Sequence, residues 1–227
     1  MESDTPADLP ALLRSLRVWD VDLPGFDPGA APADPVPLFA TWFADAVAAG
    51  QVEPHVMSLA TAGADGLPDV RYVMLHGADR RGWQFATHAT SRKGRQLAER
   101  PYAALGFYWP ARGRQVRVRG PVVPASEAES QGDLHARSTG ALAAALVGRQ
   151  SEVLEAKGEL GRVSDAAWER AGREPRTPVP SWTVYTLAPD EVEFFQGDER
   201  RRHVRLRYRR EAPDTEQEAW VKELLWP

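Results

Sequence analysis

The chain has 227 residues, 43% hydrophobic and 26% charged, the balance of a soluble globular protein long enough for one ample domain. A formal net charge of −4 argues against bulk attraction to nucleic acid or to an anionic membrane, and the apolar runs are far too short to span a bilayer. There is no cysteine, which excludes disulfides, thiolate nucleophiles and cysteine metal sites; the acidic start Met1-Glu2-Ser3-Asp4 lacks a signal-peptide core, so a cytoplasmic location is expected.

The first 33 residues, rich in Pro, Gly, Ala and Asp, predict an extended, flexible arm. Within it Val18, Trp19, Val21, Leu23 and Phe26 could dock on the body or on a partner subunit. A single domain is expected over 34–227. It opens on a helix with Asp34 as N-cap and Pro35 in the first turn, stopping at Gly50. Leu38, Phe39, Trp42, Phe43, Ala46 and Val47 form its apolar stripe. Strands 56–61 and 69–76 flank the hairpin signal Ala64-Asp65-Gly66-Leu67-Pro68, and a turn over Gly77–Gly82 leads to a strand ending at His88.

After that strand comes Ala86-Thr87-His88-Ala89-Thr90-Ser91-Arg92-Lys93-Gly94. Ser91 is a good N-cap, which puts Arg92 and Lys93 in the first turn of a helix running to Pro101. Helix N-termini carry partial positive charge and unpaired N–H groups, so two cations there suit an anion between them and the helix end. Residues 87–93 therefore read either as a phosphate grip or as a solvated basic turn. Arg71 lies in the preceding strand among Val70, Tyr72, Val73, Met74 and Leu75, a run apolar enough to bury it, and a buried arginine needs a charged or multiply accepting partner.

Strands 102–109 and 114–123 follow, joined by Pro-Ala-Arg-Gly. In the second, Val116 and Val118 face one way and Gln115, Arg117 and Arg119 the other. Residues 125–172 turn Ala-, Glu- and Arg-rich, a helical insertion of two to four short helices broken near Thr139-Gly140, Gly148 and Gly161. Beyond the proline-rich connector 173–181, strands are expected at 182–187, 191–196, 203–209 and 219–224, with a polar turn at 214–217. In the third of these, Val204, Leu206 and Tyr208 oppose His203, Arg205 and Arg207. The two polar rows suit a solvent face or a polar cleft. Strands, helices, then strands again suit an antiparallel barrel with peripheral helices, an α+β domain. The histidines are scattered, so no metal site is expected, and neither a dinucleotide-binding glycine loop nor a nucleophile elbow occurs. Gly106 and Gly120, isolated in strands, mark bulges or close backbone approach.

These motifs fall in an order that resembles the pyridoxamine 5′-phosphate oxidase family, the FMN-binding split barrels. They are Arg71–His76, Ser91-Arg92-Lys93, Arg114-Gln115-Val116, Arg149-Gln150-Ser151, Glu193-Phe194-Phe195-Gln196-Gly197, Arg201-Arg202-His203-Val204-Arg205 and the terminal Leu224-Leu225-Trp226-Pro227. The resemblance implies a homodimer with FMN in two interfacial clefts. It assigns the FMN phosphate to Arg71, Arg92, Lys93 and Thr87. It adds Tyr72, Val73, Met74, Ala86, Ser91, Gln115, Gln150, Ser151, Phe195 and Arg205 as further flavin contacts, Phe195 standing where the family usually has tryptophan. Arg201 and His203 become the catalytic pair, also touching substrate. The implied reaction passes a hydride from a small molecule to FMN, which O2 reoxidises to release H2O2.

On the substrate side, His76, Asp133, Arg137 and Ala141 stand where the vitamin B6 enzymes carry a lysine, a tyrosine, an arginine and a serine around the substrate phosphate. Asp133 would repel a phosphate. Other runs, Asp20-Val21-Asp22-Leu23-Pro24, Phe107-Tyr108-Trp109 and Arg149-Gln150-Ser151-Glu152, resemble the phenazine-biosynthesis flavin oxidases of the same superfamily. The expected substrate is thus a reduced heteroaromatic or amine-bearing secondary metabolite. The alternatives are pyridoxine or pyridoxamine 5′-phosphate, and a flavin-binding protein without turnover.

Overall fold

The structure, a computed structural model, describes residues 8–211 and 220–227. In chain order its elements are α1 (Leu9–Ser15), α2 (Pro35–Ala48), β1 (Val56–Ala62), β2 (Pro68–Met74), β3 (Gly77–Asp79), β4 (Gly82–His88), α3 (Arg92–Glu99), β5 (Tyr102–Trp109) and β6 (Arg114–Pro124). Then come α4 (Glu127–His135), α5 (Thr139–Val147), α6 (Lys157–Arg173), β7 (Trp182–Leu187), β8 (Glu191–Gln196), β9 (Val204–Arg210) and β10 (Trp220–Leu225). All the strand pairings are antiparallel.

The sheet runs β10-β9-β8-β6-β5-β1-β2, and a second arm leaves β6 through β7 to β4 and β3. The long strand β6 makes the split. Its residues 114–119 pair with β8, and its residues 122–124 pair with β7. Gly120 sits at the changeover, where a Cβ would collide with the carbonyl of Ala188 and the backbone of Pro189 and Asp190. The result is the expected α+β antiparallel split barrel. Alternation along its strands buries Val116, Val118, Phe194, Leu206 and Tyr208. α2 closes the core, with Phe39 edge-on to Trp83 and Phe107, and Trp42 edge-on to Phe194.

Several expectations need correction. Val47 is exposed, because the stripe of α2 centres on Leu38, Phe39, Trp42 and Ala46. Gly77–Gly82 is more than a turn, since Gly77–Asp79 pairs with the start of β4. Gly161 does not break a helix: α6 runs through it, because a Gly–Ala difference of about 1 kcal/mol is small against a 17-residue helix. The arm is not wholly extended, as Leu9–Ser15 is helical. Beyond that helix the arm docks: Phe26 packs on Trp42, Tyr208 Oη donates to the carbonyl of Pro32 (2.8 Å), and Lys222 Nζ donates to that of Ala31 (2.7 Å). The polar turn expected at 214–217 and the start of the last strand at Ala219 lie outside the described residues.

Candidate active site

Strand β4 delivers the chain to the N-terminus of α3. Ser91 is fully buried there, and its Oγ accepts from Gly94 N–H (3.2 Å), so it builds the turn as N-cap. A Cβ at Gly94 would strike the carbonyl oxygens of His88 and Ala89, so glycine lets the first turn of α3 sit on the end of β4. Lys93 is thereby buried, 8% exposed. Its Nζ donates to Thr87 Oγ1 (3.2 Å) and Gln150 Oε1 (3.0 Å), and Thr87 Oγ1 donates to the same Gln150 oxygen (3.0 Å). Among the described residues no carboxylate pairs with Lys93. Burial lowers its pKa, and Arg71 lowers it further against a smaller opposing pull from Asp69. A buried ammonium without a counter-ion, at the positive end of a helix, is costly until an anion arrives.

Arg71 finds the partners its burial requires, though the shelter is not the expected one. β2 is an edge strand whose apolar residues Val70, Tyr72 and Met74 face outward, while Asp69 and Arg71 face in. Arg71 Nη1 donates to Leu59 O (2.9 Å) and Thr61 Oγ1 (2.7 Å), and Nη2 to Gln96 Oε1 (3.2 Å). Asp69 Oδ2 lies 2.8 Å from Arg71 Nη2 and 3.2 Å from Arg92 Nε. The loop after α5 completes the grip. Arg92 N–H donates to Ser151 Oγ (3.2 Å), and both Gly148 and Ser151 hold left-handed backbone (φ 68° and 78°).

A cleft of about 430 Å³ opens beside Lys93 and Thr87. Tyr72, Val73, Met74 and His76 wall one side; Ala86, His88 and Trp182 form another; Arg137, Ala141 and Gln150 close it from the helical insertion. His88 Nδ1 meets Ser181 Oγ at 2.9 Å, and burial, then Lys93, lowers its pKa. Arg137 grips Asp133 with two bonds, Nε to Oδ2 and Nη2 to Oδ1, each 3.0 Å. His76 Nδ1 lies 3.3 Å from Asp133 Oδ1 and 2.6 Å from Arg137 Nη2, and Trp182 Nε1 donates to Asp133 Oδ2 (3.2 Å). Burial works to raise the Asp133 carboxyl, yet His76, Arg137 and Trp182 outweigh it and hold it far below the usual carboxylate range.

The remaining sequence-predicted residues form a second group. Gln115, Phe195 and Arg205 are consecutive cross-strand partners on β6, β8 and β9. Gln115 reaches a neighbouring cleft of about 440 Å³ that shares Val56 and Tyr72 with the first. Phe195 and His203 lie 5.0 Å apart, and Trp19 of the arm packs against both, at 6.1 and 5.4 Å. Asp198 N–H donates to His203 Nδ1 (3.0 Å), so the ring proton sits on Nε2. Arg201 holds left-handed backbone, φ 64°.

The two polar rows carry carboxylate partners among the described residues. Their sequence suits a solvent face or a polar cleft; Gln115 and Arg117 line the second cleft, while Arg117 and Arg205 pair with Glu193, Arg119 with Glu191, and Arg207 and Arg209 with Glu223. Register is the reason, because Arg117, Glu193, Arg207 and Glu223 are successive neighbours across β6, β8, β9 and β10. Glu193 is only 4% exposed; burial pushes its carboxyl up, and Arg205 and Arg117 bring it below its ordinary value. Sequence reasoning passed over Asp69, and it expected Trp19 to dock without saying that it docks on Phe195 and His203. For Asp69 the signal was its two-residue spacing from Arg71 on one strand.

Residues 43–165 match the family described as pyridoxamine 5′-phosphate oxidase. The chain belongs to this family. Residues 182–227 match the family's region described as the pyridoxine 5′-phosphate oxidase C-terminal dimerisation region. A pyridoxine/pyridoxamine 5′-phosphate oxidase from Ectopseudomonas mendocina is 42% identical over 206 residues, covering 89% of this chain and 93% of that one. A protein of the same name from Burkholderia orbicola is 42% identical over 215 residues, covering 95% and 99%. The solved structure of PhzG from Burkholderia lata 383, in complex with tetrahydrophenazine-1-carboxylic acid, superposes with a TM-score of 0.83 at 33% identity, covering 91% of this chain and 99% of that one. Among the described residues no helix is long and apolar enough to cross a membrane.

Proposed function

We propose that the chain is an FMN-dependent oxidase of a reduced heteroaromatic or amine-bearing metabolite, working as a homodimer. The observation that carries the cofactor is Lys93, a buried cation at a helix N-terminus that among the described residues hydrogen-bonds only to neutral oxygens. Lys93, Arg92, Arg71 and Thr87 would hold the FMN phosphate, with Gln150 and Ser151 beside them. The outward apolar face of Val70, Tyr72 and Met74, 53–79% exposed, supports cover by a second copy. In that dimer Gln115, Phe195 and Arg205 of one copy would complete the cleft of the other. When bound, FMN supplies hydride acceptance and reaction with O2. The chain supplies placement: Phe195 a flat aromatic wall, His203 an Nε2–H donor toward the substrate, and Arg201 a cation beside it.

Arg137 carries the substrate reading. Asp133 already binds it through two bonds, so a substrate phosphate would have to displace a carboxylate or lie against one. The mainly apolar cleft suits a flat aromatic substrate, and PhzG, solved with tetrahydrophenazine-1-carboxylic acid, supports that choice. A second reading, oxidation of pyridoxine or pyridoxamine 5′-phosphate, is favoured by the names of the relatives at 42% identity. The test is H2O2 release by FMN-loaded protein. Turnover of a dihydrophenazine carboxylate well above that of pyridoxine 5′-phosphate is expected. The reverse order selects the vitamin B6 reading, FMN retention with neither activity a flavin-binding protein, and failure to take up FMN rejects all three.

A further inference from the structure

Asp69 has no place in the expected site, yet one of its oxygens touches two of the three cations of the grip. Arg71 does not depend on it, since Leu59 O, Thr61 Oγ1 and Gln96 Oε1 also hold that guanidinium. Arg92 does. Its side chain is 68% exposed, and Asp69 is its only carboxylate partner among the described residues. The pairing uses Nε, which leaves both Nη groups of Arg92 unpartnered within the described chain. Arg92 also repels Arg71, and Asp69 acts against that repulsion. Three cations and one carboxylate leave a surplus of two positive charges, which matches a phosphate monoester of charge roughly −1.5 to −2.

We propose that Asp69 is a positioning residue: it holds Arg92 by its Nε edge and thereby presents the two Nη groups as a fork to the FMN phosphate. An exposed arginine has several rotatable bonds to immobilise, and a fork already held in place loses less freedom when it binds. The inference rests on the reading of residues 87–93 as the FMN phosphate site. It runs against the simplest electrostatic expectation, in which a carboxylate beside an anion site only weakens binding.

The test is titration of the flavin-free, full-length protein with FMN and with riboflavin, followed by flavin fluorescence. Asp69→Asn is expected to raise the Kd for FMN about tenfold and to leave that for riboflavin within about twofold, because only FMN carries the phosphate. Asp69→Glu should recover most of the loss. In an Arg92→Ala background, Asp69→Asn should add less than about twofold, since its effect passes through that side chain. FMN binding by Asp69→Asn equal to or tighter than wild type overturns the proposal. Equal loss of FMN and riboflavin also overturns it, because that marks a structural fault. A wild-type chain that binds neither flavin overturns the flavoprotein reading and this inference together, whereas wild-type binding with an unaffected Asp69→Asn overturns this inference alone.

Discussion

Two regions of the molecule are rich in basic residues, and they settle their charge in opposite ways. On the outer face of β6, β8 and β9, each of Arg117, Arg119, Arg205, Arg207 and Arg209 meets a carboxylate from Glu191, Glu193 or Glu223. At the start of α3, Arg71 and Arg92 share one oxygen of Asp69, while Lys93 is buried against Thr87 and Gln150. The first region is a closed network on a partly exposed sheet. The second holds a buried cation that no carboxylate pairs with among the described residues. A row of arginines on a strand is therefore poor evidence of a binding site. A buried cation facing neutral oxygens is far better evidence.

Several measurements would break or sharpen this contrast. Lys93→Glu should weaken FMN binding by at least about 100-fold in a fluorescence titration, since it replaces a charge-assisted partner with a repelling charge. Unchanged affinity would make the grip equivalent to the outer face. His203→Ala should lower kcat by about 100-fold while the Kd for FMN stays within about twofold, because the role proposed for it is toward substrate rather than phosphate. Parallel loss of FMN would move His203 into the cofactor site.

Glu193→Ala should cost about 2–3 kcal/mol in urea denaturation, below the usual range for breaking a buried pair because Arg117 is largely exposed. The pH dependence of FMN binding tests the other region. The pKa of Lys93 is lowered by burial and by Arg71, and only its protonated form attracts a phosphate. Affinity should therefore fall as pH rises through that lowered pKa, earlier than for an ordinary lysine; Lys93→Met should bind weakly and remove that fall. Smallest of all, Arg119→Ala should change stability by less than about 0.5 kcal/mol, as its own side chain is largely exposed and Glu191 keeps Arg207 as a partner.

The sequence by itself determined an α+β antiparallel barrel, the strand alternation and the placing of Arg92 and Lys93 in the first turn of a helix, and the family resemblance added that the barrel is split. Those features are local: period-two burial, an N-cap serine and turn glycines each act within a few residues. Through the family resemblance it also singled out His76, Asp133 and Arg137, which the structure brings together in one cluster. Tertiary structure alone decided which charges are neutralised. That Arg117 faces Glu193, that Gln150 reaches Lys93 across 57 positions and that Trp19 covers His203 all depend on register and packing between distant segments. Charge compensation works through distance in space, and a distance of about 3 Å between residues far apart in the chain leaves no mark on the local pattern of either.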